Sequence, residues 1–536
     1  MLGSPLAVLG PTKLFVMALD LFDARNPCEN LEEKGFFFGK ANSLTSFRTL
    51  GRRNMYAYVK AADPWLDGHI KSCIRKHAPD ISFVDDLTEV QSAGETVFQF
   101  CNGQNLGRHF AVANAAASGL INAYPNSDAL ARKDCLAKII DYWTTKRPES
   151  ALKGHSPVTV RLSLDYSEYV DEALAAADDL TLLYSLEDNE SKDASEREWW
   201  ILKPALLDCG AGIRIFSTID ELASHLELAE NLTDEDAELD EETKEQQKSS
   251  IINGDEQNDD LTEGFQPSLS QPGLDNLDAL FTATGKLTLN GNSDKVSKDA
   301  ATDLHIDEET GRILSAQIRE FVAQRYIVSI PPVEKRKWHV RAYILSVGRL
   351  KVHVFRDLLA LLALEDHKPP WENPEPNSFL TNTALQEEDE FKAKDSMRDF
   401  RSIPDDLLPG DWKARTFDQI CDISAELFRA AAYTMADKFT TMDRCFELYA
   451  LDFLVDTNGT AWLLEANETP AFYEYGVAAS IAQRLMESII CVAMEHMGRA
   501  QVGNPDNLEV RSRMVEVLDE TEKLGKSNIS EIVPQY

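Results

Sequence analysis

The sequence predicts a mixed α/β chain of the α+β kind, in which antiparallel hairpins carry the polar chemistry and apolar helices back them. Three observations predict it. Strand-turn-strand patterns recur at 199–216, 324–357 and 446–470; helical periodicity runs through 416–439 and again, strongly apolar, through 477–497; and 536 residues supply core for several domain equivalents without cross-links.

Ahead of the first hairpin, the apolar run 14–19 is too short to span a bilayer and no cleavage pattern follows it, so no membrane segment is expected. The eight cysteines stand singly, with no Cys-x-x-Cys pair and no histidine read at ligand spacing beside one. The expectation is reduced thiols in the cytoplasm, with neither a disulfide framework nor a zinc site. The formal charge is −36, from 54 basic and 90 acidic side chains. Such a chain is repelled by nucleic-acid phosphates and anionic lipid, so no direct nucleic-acid partner and no membrane partner is expected.

The first hairpin, 199–216, sets Lys203 and Pro204 at the end of one apolar run and Gly210 and Gly212 in the turn that follows. Glycines at alternate positions let backbone N–H groups approach phosphate oxygens, and a lysine at the strand end adds a point charge. From about 224 to 303 the chain turns polar. Within 227–263 there are 15 acidic residues against Lys244 and Lys248, too few apolar side chains to offset ordering entropy, and a disordered insertion is predicted, with a short partner motif around 274–281 as the sharper alternative.

The second hairpin region, 324–357, reads as three strands joined by Pro331-Pro332 and by a tight turn at Gly348. Alternation puts His339, Arg341 and Tyr343 on a polar face, where the Arg341 guanidinium could hold a phosphate or carboxylate with two parallel bonds. A polar stretch at 384–414 reads as a surface loop with a short helix.

The third hairpin, 446–470, is the most informative. Asn458-Gly459 is a strong two-residue turn; if those two form the loop, Thr457 pairs with Thr460 and Asp452 stands opposite Glu465, with Asn467 on the same face two residues on. Two opposed carboxylates repel, and a divalent cation resolves the repulsion. An all-oxygen set of Asp452, Glu465 and Asn467 suits magnesium better than zinc. The chain beyond 501 reads as a polar tail with a loosely attached helix.

A lysine and glycine phosphate loop, a central strand pair and a terminal metal hairpin, in this order, describe the ATP-grasp arrangement, with nucleotide between two antiparallel sheets. The segments WILKP, GAGI, QRYI, KWHVRAYILSV, FLTN and ELYALDFLVD...WLLEANETP, with LINAYPNSDALARKDCL upstream, resemble the tubulin-tyrosine ligase family. The likeness is greatest to its fungal, P-body-associated branch. It implies a small N-terminal α/β subdomain at 56–125, behind a segment of uncertain order at 1–55, and an ATP-grasp region at 126–500 interrupted by the insertion. The 55 leading residues are too few for the phosphatase-like domain that the fungal P-body member carries.

The resemblance also implies an activity: ATP activates a carboxylate as an acyl phosphate, which an amine attacks to form an amide. Lys203 and the Gly210 and Gly212 amides would hold nucleotide phosphates, Gln324, Arg325, Tyr326 and Ile327 would form the hinge against adenine, and Thr381 and Asn382 would approach ribose or phosphate. Arg341 would stabilise the transferring phosphoryl group, and Asp452, Glu465 and Asn467 would bind magnesium. Two readings follow: a ligase acting on a protein carboxylate, with tyrosine and the tubulin C-terminal tail as defaults, or an ATP-binding protein without ligation that assembles with mRNA-decay proteins. Lys335, Arg336, Lys337, Arg349 and Lys351 would dock an acidic tail. Cys209, where the family has Arg or Lys, and His339, where it has Asp, depart from the pattern, as does VFRDLLALLA, which lacks a later Arg and Ser.

Overall fold

The computed structural model describes residues 54–61, 63–90, 95–164, 169–206, 212–231, 306–307, 312–313, 319–372, 374–381, 395–499 and 505–526. The N-terminal segment, most of the acidic insertion with its 274–281 motif, Cys209, Gly210 and Asn382 lie outside these residues. The helix Ile219–Asn231 runs into the stretch read as an insertion from 224, because the apolar positions of IDELASHLELA still repeat at helical spacing.

Strands β1 (Met55–Lys60), β2 (Ser82–Phe83), β3 (Thr96–Cys101) and β4 (Ser118–Ile121) form a parallel sheet in the order β2-β1-β3-β4. β3 is buried along its whole length, as a strand covered on both faces must be. Strands β5 (Thr159–Ser163), β6 (Trp200–Pro204) and β7 (Arg214–Phe216) join β10 (Glu320–Arg325) in an antiparallel sheet of order β5-β10-β6-β7, while β8 (Ile306–Asp307) and β9 (Arg312–Ile313) form a separate pair.

The seven-stranded antiparallel sheet is built on β11 (Arg336–Val347). One edge of β11 pairs with β15 (Phe446–Val455), which pairs in turn with β16 (Ala461–Asn467). Its other edge is shared by β13 (Leu359–Asp366) over its first half and β12 (Lys351–Phe355) over its second, and β14 (Met397–Asp399) and β17 (Met514–Asp519) complete the outer edges. The three strands read at 324–357 are present, but β10 belongs to the other sheet, and Pro331-Pro332 carries the chain between the two. Gly348 makes the β11–β12 turn at φ +65°, where a Cβ would also meet the His496 ring at 2.8 Å.

β11 has no solvated face. Trp338, Val340, Ala342 and Ile344 pack toward the helix Trp412–Thr434 through Ile420, Ile423, Leu427 and Phe428. Tyr343, Leu345 and Val347 pack on the opposite side with Ile481, Leu485 and Ile489 of the helix Gly476–His496. That second helix is long and apolar enough to cross a membrane, yet 67% of its apolar window is buried within the protein. Two sequence expectations change. The stretch 384–414 contains β14, and the polar tail is no loose appendage, since β17 pairs five residues with β12 and buries Met514 and Leu518.

Candidate active site

The antiparallel pairing of β6 and β10 sets Val322 opposite Lys203 and Gln324 opposite Ile201, so Lys203 and Gln324 share a face. Lys203 Nζ donates to Gln324 Oε1 at 2.9 Å, and Gln324 Nε2 donates to the Thr159 hydroxyl at 3.2 Å. Burial pushes the Lys203 ammonium down to about 8, with Glu465 working the other way. Beyond β10, Tyr326 packs with Trp199, Ile201, Ile213, Phe379 and Leu380 in a small apolar cluster. Arg325 directs its guanidinium to Glu198 at 3.1 Å and contributes to the cleft from the hinge strand itself.

Across the cleft, alternation along β11 brings Lys337, His339 and Arg341 to one face. Lys337 Nζ donates to the Tyr326 hydroxyl at 2.9 Å and lies 4.2 Å from the centre of that ring. Burial, reinforced by Lys203, pushes it down to about 7. His339 Nδ1 shares a hydrogen bond with the Thr381 hydroxyl, and its buried Nε2 faces Asp452 Oδ1 at 3.6 Å. Arg341 meets Asp452 directly: Nε donates at 2.9 Å and Nη2 at 2.8 Å. Burial works to raise the Asp452 carboxyl, but Arg341 and His339 outweigh it and hold the group far below the usual carboxylate range.

Asp452 is opposite Glu465, and Asn467 Nδ2 donates to Asp452 Oδ2 at 3.3 Å, so the three predicted metal ligands converge. The turn that delivers them differs from the reading. Val455 pairs with Ala461, and Asp456 Oδ1 accepts from the Asn458 and Thr460 amides at 2.8 and 2.9 Å, which makes the loop longer than Asn458-Gly459 and removes the pairing of Thr457 with Thr460. The register next to the turn is therefore one residue off. An extra residue on β16, between Leu463 and Glu465, restores Glu465 to its place opposite Asp452.

Lys133, at the start of the helix Lys133–Lys146, places Nζ 3.9 Å from Glu465 Oε2. The segment leading into that helix is tied to the hairpin by the Ser127 hydroxyl, which donates to Glu468 Oε2 at 2.8 Å and to Glu447 Oε1 at 3.3 Å.

Lys203, Gln324, Arg325, Tyr326, Ile327, Thr381, Asp452 and Glu465 thus line one cleft between the two antiparallel sheets. Gly212, at φ +68°, leads into the cleft residue Ile213. Sequence reasoning missed Lys337 and Lys133. The signal for Lys337 was its spacing of two and four from His339 and Arg341; Lys133 sat in the quoted LARKDCL segment. The basic docking strip is corrected: Arg336 pairs with Glu334 and Asp395, Lys337 enters the cleft and Lys351 pairs with Asp519, leaving Lys335 and Arg349 exposed. Nor is Arg341 on a solvated face, since its charge is engaged by Asp452.

One buried lysine from each sheet, each bonded to a neutral oxygen, and the Asp, Glu and Asn oxygens of the β15–β16 hairpin match the donor chemistry of a polyphosphate with a hard divalent cation. The profile of the tubulin-tyrosine ligase family matches residues 113–499. A probable tubulin-tyrosine ligase of Schizosaccharomyces pombe is 29% identical over 447 residues, covering 83% of this chain and 92% of that protein. The probable tubulin-tyrosine ligase PBY1 of Saccharomyces cerevisiae is 28% identical over 434 residues, covering 78% of this chain and 49% of that protein, so this chain spans about half of its length. Among solved structures, the C-terminal domain of K. lactis Pby1, described as an ATP-grasp enzyme interacting with the mRNA decapping enzyme Dcp2, aligns with a TM-score of 0.52 at 20% identity, over 87% of this chain and 99% of that one. That likeness shows the ATP-grasp fold.

Proposed function

The chain belongs to the tubulin-tyrosine ligase family, and from that premise we propose an ATP- and magnesium-dependent ligase that joins an amino acid, tyrosine by default, to a protein carboxylate such as the tubulin C-terminus. The observation that carries this reading is the cleft in which Lys203 from one sheet meets Lys337, Asp452 and Glu465 from the other, with Asn467 bonded to Asp452.

Bound magnesium-ATP would supply the phosphoryl group that converts the carboxylate to an acyl phosphate. The protein's own contribution is positioning and charge. In this proposal Lys203, Lys337 and Lys133 draw the phosphates into place, with the Gly210 and Gly212 amides over them, and Asp452, Glu465 and Asn467 hold the cation. The Tyr326 cluster, with Gln324, Arg325 and Ile327, takes the adenine, and Thr381 and Asn382 take the ribose side. Arg341 fixes Asp452 and, in this proposal, stabilises the transferring phosphoryl group. The cleft measures about 70 Å³, less than the roughly 300 Å³ of a small-molecule site. In this proposal nucleotide binding widens the cleft between the β5-β10-β6-β7 sheet and the larger sheet.

The test is incorporation of labelled amino acids into detyrosinated tubulin or cell extract with ATP and magnesium. Label above a Lys203→Ala control supports ligation; none abandons it. A second reading has its own support. The Pby1 neighbour is described as interacting with a decapping enzyme, and His339 stands where the family has Asp. In that reading the chain binds ATP in the cytoplasm and assembles with mRNA-decay proteins in P-bodies without ligating. It predicts magnesium-dependent ATP binding with no incorporation.

A further inference from the structure

Away from the cleft, two helices bring a nitrogen, a sulfur and a carboxylate together. His69 and Cys73 lie four residues apart on the helix Asp67–His77, and Glu487 projects from the helix Gly476–His496 packed against it. Four residues on a helix is one turn, so both side chains leave the same face. The expectation that no histidine stands at ligand spacing beside a cysteine is corrected here, since His69 and Cys73 stand one helical turn apart.

His69 Nε2 and Cys73 Sγ are 3.7 Å apart. Two such ligands on one tetrahedral zinc, with bonds of about 2.0 and 2.3 Å, are separated by about 3.6 Å. The nearest Glu487 oxygen completes a triangle in which all three atoms lie within 4.8 Å of one another. Glu487 is the member with competing partners. It is partly exposed, and Arg513 Nη1 at 3.0 Å and Lys76 Nζ at 3.9 Å hold it from outside the cluster.

We propose that His69, Cys73 and Glu487 bind a zinc-class divalent cation that clamps the first sheet's helix to the helix covering the seven-stranded sheet. One thiolate and one carboxylate offset a dication, Arg513 keeps its second partner Glu509 at 2.9 Å when Glu487 turns to the metal, and the neutral imidazole adds a softer donor that magnesium would not select. On binding, the Cys73 S–H bond breaks, an S–metal bond forms and the proton leaves to solvent. A fourth position is open to water or to the Gln483 carbonyl oxygen, now 3.0 Å from His69 Nε2. The site is structural in kind, since it joins two elements and lies apart from the cleft residues.

The test is titration of the chelator-treated full chain with cobalt(II), then zinc(II), in saturating magnesium to occupy the oxygen set. A thiolate-to-cobalt absorption in the near ultraviolet, displaced by zinc and lost in Cys73→Ser, is the expected result. His69→Ala and Glu487→Gln should each weaken cobalt binding at least tenfold. Absence of the band in the unmodified chain, or its survival in Cys73→Ser, overturns the proposal. If Cys73→Ser fails to fold, the partly exposed His69→Ala decides the matter, and unchanged affinity there also overturns it.

Discussion

Arg341 and Asp452 meet through two charge-assisted hydrogen bonds in a place with little access to water, Asp452 being 3% exposed. Removing one member of such a pair strands the other charge. Arg341→Ala should therefore cost about 3–5 kcal/mol of stability, measured by urea unfolding, and Arg341→Lys should recover only part because an ammonium lacks the planar fork. Glu465→Gln should behave differently: stability nearly unchanged, magnesium dependence of ATP binding lost. Lys337 carries a pH signature. Its folded value of about 7 lies below the ordinary 10.5 because burial penalises the charge. Between those values the unfolded chain binds the extra proton, so the destabilisation is full below pH 7 and disappears as pH rises toward 10.5. Lys337→Met should accordingly be more stable than the parent at pH 7, with the difference fading by pH 10. A charged amine is also what attracts phosphate, so ATP affinity should fall from pH 7 to 9 in the parent and stay flatter in Lys337→Met. This residue was misread in the sequence because EKRK looks like a solvated basic run; Lys335 is exposed ahead of β11, and alternation along the strand carries Lys337 into the cleft with His339.

Elements were legible where one local rule dominated. The helices at 416–439 and 477–497 fall within a few residues of Trp412–Thr434 and Gly476–His496, since their apolar repeats face the two sides of one sheet. The β15–β16 hairpin shows where a local rule was right for an incomplete reason. Asn-Gly marked the turn, but Asp456, accepting two backbone amides and the Trp462 indole N–H at 3.1 Å, sets its length, and the extra residue on β16 then corrects the register. Period-2 reasoning cannot see a bulge, because a bulge changes the count without changing the residue types. Asp456 is nearly buried, so Asp456→Ala should cost about 1–3 kcal/mol in denaturant unfolding and weaken magnesium-dependent nucleotide binding by loosening the hairpin. β17 was illegible for another reason: MVEVLD is short and sits among charges, and only the open edge of β12 recruits it. Ending the chain at residue 504 should bare that edge, lower the thermal midpoint and promote aggregation seen by light scattering.

At the scale of the whole molecule, the net charge of −36 says little about the cleft, where Lys133, Lys203, Lys337 and Arg341 gather around the two carboxylates Asp452 and Glu465. The fold class was legible because the two large antiparallel sheets announce themselves by hairpins. The assignment of strands to sheets was not, since nothing in QRYIVSIPPVEKRKWHV says that Pro331-Pro332 separates β10 from β11 in different sheets. That separation has a mechanical consequence. The two sheets meet at a cleft of about 70 Å³, and in the proposed reading a nucleotide widens it before Lys203 on one side and Lys337 with the carboxylates on the other close on the phosphates. A non-hydrolysable ATP analogue with magnesium should then slow hydrogen exchange in β6, β10 and β11 while leaving the β12–β17 edge unchanged. At a hundredfold excess over its Kd the analogue should add about 2.7 kcal/mol of stability. Chelating the magnesium, or Glu465→Gln, should remove most of both effects, whereas protection that persists without the cation would place the nucleotide elsewhere than between these sheets.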